Sequence, residues 1–327
     1  MRNLRLEIAH VSSPLRASFA ISRGAKTHAQ TVRVRLSDGT NAGRGECVPY
    51  ARYDETVESV IAALEGVRGA VEAGLNREAL QSVLPAGAAR CALDCALWDL
   101  EAKTAGRPVW QLAGLPEPKP FETAVTISLA EPDAMAEAAK AAPGNLLKLK
   151  LGGEGDLDRL RAVHAARPGA RLIVDGNEGL AADTYPAIAA AALKLGVVLI
   201  EQPFPAGKDD ALLKRPGPVA VCADESAHTS ADIQALARNY DAVNVKLDKA
   251  GGFTEALAMV HAARRSGMGA MVGCMVASSL SMAPATLLAA LADAADLDGP
   301  LWLADDIADG LIIRDGMISP PVAALWG

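Results

Sequence analysis

The sequence has no excess of positive charge and no long hydrophobic run. Its 32 lysines and arginines stand against 39 aspartates and glutamates, which makes a net charge of −7. A protein with this balance offers no basic surface to nucleic acid or to an anionic membrane. The alanine-rich runs, such as residues 187–195, are too short and too interrupted to span a bilayer. We therefore expect neither nucleic acid nor a membrane as a partner.

Cysteine is scarce and forms no motif. The five cysteines contain no Cys-x-x-Cys pair, and Cys91 and Cys95, which are four residues apart, have no histidine partner. This usage predicts reduced, packed thiols rather than a disulfide framework or a zinc site. Residues 1–13 alternate polar and apolar side chains and lack the apolar core of a signal peptide. The sequence thus predicts a soluble, cytoplasmic protein.

Hydrophobic periodicity divides the chain into two parts. Residues 4–11 and 31–36 alternate like strands, whereas residues 55–72 and 88–104 have the apolar spacing of helices. Three prolines within residues 115–120 then interrupt the pattern. We therefore expect an N-terminal α+β domain that ends at residue 118.

After the prolines, short β-branched runs alternate with helical segments rich in alanine and leucine. Eight strands separated by helices predict an α/β fold with a parallel barrel over residues 119–304. A hairpin around Asp315 and Gly316 follows, and we expect residues 305–327 to return to the N-terminal domain and complete it. The predicted barrel strands are residues 124–129, 146–151, 171–174, 197–200, 219–223, 242–247, 269–272 and 294–298.

Polar side chains recur at the ends of these runs with a spacing close to one βα unit. Successive members are separated by 25, 26, 23, 25, 25 and 24 residues. This period places them at one rim of the barrel, where the loops carry the chemistry. A single carboxylate there is commonly a helix N-cap, whereas three on adjacent strands predict a ligand set. The series is Lys150, Asp175, Glu201, Asp224, Lys249, Cys274 and Asp298.

Asp175, Glu201 and Asp224 have neither histidine nor cysteine beside them, so they favour a hard cation. Mg²⁺ fits best, because it takes a few carboxylates and leaves positions for a substrate oxygen. Glu225 alternates away from Asp224 along a strand. We expect Glu225 and Asn177 to support the ligands rather than to bind the ion.

Four lysines lie near this rim, with Lys249 at the rim by period and Lys246 a turn deeper. Lys148 and Lys150 are two apart on one strand, so both are directed into the barrel, and their mutual repulsion beside a cation favours the neutral amine. We count both as catalytic, with Lys150 as a general base. Lys249 lies four strands on and is expected to face Lys150, with Lys246 as the alternative. Two bases on opposite sides of a metal-bound carboxylate predict inversion of the α-carbon by 1,1-proton transfer through an enediolate.

The motifs at these positions resemble the enolase superfamily, in particular its muconate-lactonising subgroup. The resemblance covers nearly the whole chain and implies a (β/α)₇β barrel of the TIM type, capped by an α+β domain built from both termini. Its marks are Lys148-Leu149-Lys150, Asp175-Gly176-Asn177, Glu201-Gln202-Pro203, Asp224-Glu225-Ser226 and the segment from Lys246 to Gly252, with residues 45–50 and 92–100 in the N-terminal part.

Within that subgroup the sequence is most similar to the dipeptide epimerases. By this resemblance Asp296 and Asp298 bind the α-ammonium of a dipeptide, although an aspartate-rich turn is the alternative. Arg23 or Lys26 is expected to hold a side-chain carboxylate of the substrate, unless both are surface charges. The implied reaction interconverts L-Ala-D-Glu and L-Ala-L-Glu, and the alternative is a lyase such as o-succinylbenzoate synthase or a cycloisomerase. The preferred dipeptide and the oligomeric state are left open.

Overall fold

The computed structural model describes residues 4–214 and 217–327, so residues 1–3 of the alternating N-terminal segment lie outside the described part. The strands of this part form three sheets, two of three strands and one of eight. The strands are β1 (Arg5–Ile21), β2 (Gly24–Ser37), β3 (Ala42–Cys47), β4 (Phe121–Glu122), β5 (Val125–Ile127), β6 (Leu146–Lys150), β7 (Arg171–Asp175), β8 (Val197–Glu201), β9 (Ala220–Ala223), β10 (Ala242–Lys246), β11 (Gly269–Gly273), β12 (Ala294–Asp296), β13 (Ile313–Arg314) and β14 (Met317–Ile318).

Helices cover one face of the N-terminal sheet and follow the barrel strands. No helix in the described part of the chain is both long enough and apolar enough to cross a membrane. The helices are α1 (Val57–Glu72), α2 (Arg77–Val83), α3 (Ala88–Ala105), α4 (Val109–Leu112), α5 (Pro132–Ala141), α6 (Asp156–Ala166), α7 (Tyr185–Ala192), α8 (Ile233–Leu236), α9 (Leu247–Ala250), α10 (Phe253–Arg265) and α11 (Ser279–Thr286).

The N-terminal part forms the cap, an antiparallel sheet in the order β1-β2-β3 with α1 and α3 packed on it. Arg5 pairs with Ser37 across the long β1–β2 hairpin, whose tip is Ser22 and Arg23. Helix α3 is buried along almost its whole length. It lies so close to β3 that a Cβ atom at Gly45 would come within 2.0 Å of the Ala92 carbonyl oxygen. Glycine at this position therefore sets the distance between helix and sheet.

The barrel has the predicted (β/α)₇β architecture. Its eight strands are parallel and follow each other in chain order from β5 to β12. The backbone N–H of Ala124 donates to the carbonyl of Ala295 at 2.8 Å, which joins the first strand to the last. The register places Lys150 beside Asp175 and Asp175 beside Glu201. The period of the sequence therefore does place these side chains at one rim.

The C-terminal tail makes contacts in two places. The hairpin forms at the predicted turn, where Asp315 and Gly316 both have positive φ, and β14 then pairs with β4 just before the barrel. The last residues contact the cap, where the Trp326 indole donates to the Cys95 carbonyl at 3.0 Å. The free edge of β4 accepts the hairpin as a neighbouring strand. The boundaries 1–118, 119–304 and 305–327 remain a prediction.

Cap residues hold the segment that follows β10. The Arg90 guanidinium on α3 donates to the carbonyl of Ala250 at 2.7 Å, at the end of α9. Asp94, one turn along α3, accepts from the backbone N–H of Thr254 at 2.9 Å, in the first turn of α10. Asp248 accepts from the backbone N–H of Val48 at 2.9 Å. The cap thus contributes to the position of the sixth barrel strand's end.

Candidate active site

Three carboxylates meet at the carboxyl ends of neighbouring barrel strands. Asp175 ends β7, Glu201 ends β8, and Asp224 directly follows β9. One oxygen of each lies within 4.8 Å of the others, and all three side chains are buried. Among the described residues, no other group of three or more such side chains could hold a metal ion. An all-oxygen ligand set of this kind fits a hard divalent cation.

The three carboxylates differ in their affinity for protons. Burial raises the pKa of Glu201 to about 7, and the nearby charge of Asp175 adds to the effect. Burial also acts against the charged form of Asp224, but Lys246 and Lys249 outweigh it and hold its pKa well below the ordinary value. A cluster of like charges in a buried place requires such positive partners.

Two amide side chains fix the carboxylates, and the sequence interpretation missed both roles. Asn244 on β10 donates to Oε1 of Glu201 at 2.7 Å. The side-chain oxygen Oε1 of Gln202 accepts from the backbone N–H groups of Asp224 and Ser226, at 2.8 and 3.1 Å. The signal for Asn244 was present in the sequence, because a lone amide between two valines in a barrel strand has to find a polar partner inside.

Lys148 lies at the centre of the negative charge. Its Nζ is 2.7 Å from Glu201, 2.7 Å from Asp296 and 3.0 Å from Asp175. Burial alone would lower the pKa of Lys148, but the carboxylates outweigh burial and raise it well above the ordinary value. The nearest charges to Lys148 are therefore carboxylates rather than the ammonium of Lys150, and its neutralisation beside a bound cation stays a prediction.

Lys150 and Lys246 end β6 and β10, which lie four strands apart in the eight-stranded barrel. Both line a cavity at the rim that Asp224, Arg23 and Lys26 also line; it is called the main cavity because it adjoins the carboxylates, not because of its size. Their Nζ atoms are 2.6 Å from Asp175 and from Asp224 respectively. They are thus on opposite sides of the three carboxylates.

Lys249 does not face Lys150, which corrects the expectation from the sequence period. Strand β10 ends at Lys246, and the chain then turns into α9, which carries Lys249 to the far side of Asp224. The main cavity is lined by Lys246 and not by Lys249. The period failed here because Lys246 follows Asp224 by only 22 residues, three fewer than the average unit predicts.

The main cavity has an acidic end. Asp296 at the end of β12 and Asp298 just after it both line it. Burial and the charge of Asp296 raise the pKa of Asp298 to about 6. The backbone N–H of Thr126 donates to Asp298 at 2.7 Å, whereas Oδ1 of Asp296 is buried without a hydrogen-bond partner in the described part of the chain. Two carboxylates with an unused acceptor suit a small cation.

The cap closes the cavity with two cations, Arg23 and Lys26, from the β1–β2 hairpin. The Arg23 guanidinium donates to two groups of the barrel, the Glu225 carboxylate at 2.7 Å and the main-chain carbonyl of Asn177 at 2.8 Å. Lys26 has no carboxylate within 4.0 Å among the residues that the structure describes, and its Nζ lies 5.7 Å from the ring centroid of Phe19. Burial, together with the nearby lysines, lowers the pKa of Lys26. Within the described residues, Lys26 is thus the one of the two that has no carboxylate at ion-pair distance.

The supporting residues also line the cavity. Glu225 accepts from Arg23, and the Asn177 amide lies 3.4 Å from the same Glu225 oxygen. The backbone N–H of Asn177 donates to Oδ1 of Asp175 at 2.9 Å. Neither side chain belongs to the group of three carboxylates, as the sequence analysis expected. Phe19, which contacts the cavity from the cap, was not predicted.

Two family models cover most of the chain. Residues 3–114 match the N-terminal domain of mandelate racemase / muconate lactonizing enzyme, and residues 133–324 match the enolase C-terminal domain-like model. The chain therefore belongs to the mandelate racemase / muconate lactonizing enzyme family of the enolase superfamily, as its motifs predicted. Its relatives are named as epimerases and racemases, and the chain is an isomerase of this kind.

Two relatives match the chain along nearly its whole length. The L-Ala-D/L-Glu epimerase of Escherichia coli (strain K12) is 44% identical over 306 residues, which are 93% of this chain and 95% of that protein. The N-acetyl-D-glutamate racemase of Pseudoalteromonas sp is 41% identical over 300 residues, which are 90% of this chain and 94% of that protein.

Two solved structures have the same fold. An enolase family member from Agrobacterium tumefaciens with homology to dipeptide epimerases contains bound sodium and L-Ala-L-Glu; it is 49% identical, with a TM-score of 0.96 over 99% of this chain and 100% of that one. A dipeptide epimerase from Methylococcus capsulatus, complexed with Mg and L-Arg-D-Lys, is 32% identical, with a TM-score of 0.89 over 98% of this chain and 97% of that one.

Proposed function

We propose that the protein is a Mg²⁺-dependent dipeptide epimerase that interconverts L-Ala-D-Glu and L-Ala-L-Glu. One observation carries the proposal: Lys150 and Lys246 line one cavity from opposite sides of a buried carboxylate triad. Inversion of an α-carbon needs a proton to leave on one side and to return on the other, and this placement supplies a group for each side.

Asp175, Glu201 and Asp224 would hold the cation. When bound, Mg²⁺ would polarise the substrate carboxylate and lower the pKa of the neighbouring lysines. The ammonium groups of Lys150 and Lys246 now pair with Asp175 and Asp224 at 2.6 Å. Each lysine side chain has to leave its carboxylate partner and approach the α-carbon of the substrate before it can transfer a proton.

The lysines divide the proton transfer between them. Lys150 would take the α-proton of one epimer, and Lys246 would take that of the other. Lys148 touches three carboxylates and does not line the cavity, so it would serve as a fixed positive charge next to the reacting carboxylate. This assignment replaces Lys249 by Lys246 as the second base.

The two ends of the cavity support a dipeptide with an acidic C-terminal residue. Asp296 and Asp298 would bind the α-ammonium, because paired carboxylates offer charge-assisted hydrogen bonds to a cation. Lys26, which has no protein carboxylate of its own in the described structure, would bind the side-chain carboxylate, with Arg23 beside it. The 44% identical relative is named for this substrate, whereas the Methylococcus structure holds a cationic dipeptide.

Proton exchange in D₂O tests the proposal directly. Purified protein with Mg²⁺ should incorporate deuterium at the α-carbon of the glutamate residue of L-Ala-D-Glu and of L-Ala-L-Glu, and should convert each into the other. A chelator should stop both processes, and added Mg²⁺ should restore them. Absence of exchange across a library of Ala-Xaa dipeptides at saturating Mg²⁺ would rule the activity out.

Racemisation of N-acetylglutamate is the second candidate, because a relative named for it is 41% identical. That substrate has no ammonium group. We predict that Asp296→Asn and Asp298→Asn each raise the KM for L-Ala-L-Glu about tenfold or more, since a hydrogen bond to a charged group contributes about 1.5–3 kcal/mol. Asp298→Asn, which leaves the ion pair between Asp296 and Lys148 in place, should leave N-acetylglutamate turnover unchanged. Wild-type protein that prefers N-acetylglutamate, or a lyase reaction that survives both substitutions, would favour the alternatives.

A further inference from the structure

Lys249 is a buried lysine that the proposed proton transfer does not use. It lies on α9, past the end of β10, and its side chain has no exposed surface. A separate cavity between cap and barrel reaches it, lined by Tyr53, His228 and Asp248 among others. Lys249 is thus on the side of Asp224 that faces away from the substrate cavity.

The ammonium of Lys249 has an acceptor for each of its three N–H groups. It donates to Oδ1 of Asp224 at 2.6 Å, to the main-chain carbonyl of Asp224, and to the main-chain carbonyl of Asn244 at 3.2 Å. A base needs a free lone pair directed at the proton that it removes. A lysine with all three donors engaged by the protein acts instead as a fixed cation.

The two oxygens of Asp224 therefore have different partners. Lys249 holds Oδ1 from behind, whereas Oδ2 is 2.6 Å from Lys246 on the cavity side. Gln202 holds the backbone N–H of the same residue. Side chain and main chain of Asp224 are thus held by two groups that do not line the cavity, and Oδ2 is the oxygen on the side of Lys246.

We infer that Lys249 is a positioning residue for the cation site: it occupies Oδ1 of Asp224, so that Asp224 offers the cation Oδ2 alone. The inference rests on the proposed function only for the presence of a divalent cation between the three carboxylates. Without Lys249, the carboxylate of Asp224 is free to turn both oxygens to the ammonium of Lys246. Lys246 then competes with the cation for its ligand.

Calorimetric titration of substrate-free protein with Mg²⁺ alone tests this role. Lys249→Met should weaken Mg²⁺ binding about ten- to a hundredfold, the usual effect of losing a group that orients a metal ligand. Lys249→Arg should weaken it too, because the planar guanidinium keeps the charge but cannot reproduce the three contacts. The control is Lys103→Met, which removes a partly buried ion pair with Asp99 in the cap and should leave the affinity unchanged.

Unchanged or tighter Mg²⁺ binding by Lys249→Met would overturn the inference, since the ammonium would then act on the cation only by repulsion or not at all. At saturating Mg²⁺ the variant should slow α-proton exchange from both epimers by the same factor. Loss of exchange from one epimer alone, with normal Mg²⁺ affinity, would make Lys249 a base and overturn the inference equally.

A crystal structure of the wild-type protein with Mg²⁺ tests the same point without a variant. We expect Asp224 to bind the ion through Oδ2 only, with Lys249 on Oδ1. Bidentate binding by Asp224, or displacement of Lys249 from it, would overturn the inference. If the wild-type protein has no measurable Mg²⁺ affinity, the proposed function is contradicted rather than the role of Lys249. This result is obtained before any variant is made.

Discussion

Lys150 and Lys246 are equivalent in position, since each is the last residue of its strand and each is paired with one carboxylate of the triad. In the proposed reaction, equivalent positions on opposite sides of the substrate give each lysine one face of the α-carbon. The role of each lysine can therefore be tested separately, one face of the α-carbon at a time.

Lys150→Met and Lys246→Met should each abolish epimerisation, because inversion needs both lysines. Each variant should still exchange the α-proton of one epimer, and the two variants should retain opposite epimers. The measurement is deuterium incorporation by NMR, with each epimer supplied separately at saturating Mg²⁺. If both variants retain exchange of the same epimer, the two lysines do not act on opposite faces.

The packing of α3 on the cap sheet depends on two glycines of β3, which have no side chain. A Cβ atom at Gly45 would lie 2.0 Å from the Ala92 carbonyl, and one at Gly43 would lie 2.1 Å from the Ala96 carbonyl. Both clashes are with backbone, which cannot move aside as the end of a side chain can. Because α3 also holds the ends of α9 and α10, this contact connects the cap sheet to the barrel.

Gly45→Ala should reduce the free energy of unfolding by about 3 kcal/mol or more, because overpacking against backbone forces the helix and the sheet apart. The matched control is Gly66→Ala in α1, where a Cβ atom meets nothing within 4 Å. That change should stabilise the protein by about 0.5–1 kcal/mol, since alanine loses less backbone entropy in a helix. Urea unfolding measures both, and equal effects of the two substitutions would contradict the packing argument.

At the scale of the whole molecule, buried carboxyl groups at the cap–barrel junction make stability depend on pH. Burial raises the pKa of Asp248 from 3.8 to about 7, while the backbone N–H of Val48 acts in the opposite direction. Between about pH 4 and pH 7 the folded protein keeps this proton and the unfolded chain releases it. The free energy of unfolding therefore falls as pH rises through this window.

Asp248→Asn removes this contribution. The variant should gain stability relative to the wild type as pH rises from 4 to 8, by at most about 1.4 kcal/mol per pH unit within the window. Thermal unfolding across this range measures the difference, and the exposed Asp158→Asn is the control, expected to follow the wild-type profile. Parallel profiles for the wild type and Asp248→Asn would show that the carboxyl group does not titrate in this window.

Local sequence patterns predicted most of the architecture and part of the candidate site. Parallel barrel strands are buried on both faces, so they stand out as short apolar runs, and all eight were found within a few residues of their ends. The three carboxylates end successive runs, and repetition of one βα unit was enough to bring them together. The same spacing predicted Lys150 and Asp298 at this rim, whereas Asp296 was predicted only from the resemblance to dipeptide epimerases; all three line the cavity.

Tertiary structure alone decided which second lysine lines the cavity, because three residues past a strand's end the chain has already entered a helix. Each helical residue turns the side chain by about 100°, so a count along the sequence cannot tell Lys246 from Lys249. It also decided that Arg23 pairs with Glu225, 202 residues away, and that the tail hairpin joins β4. Periodicity reports the face on which a side chain lies within its own element, whereas its partner depends on how distant elements meet.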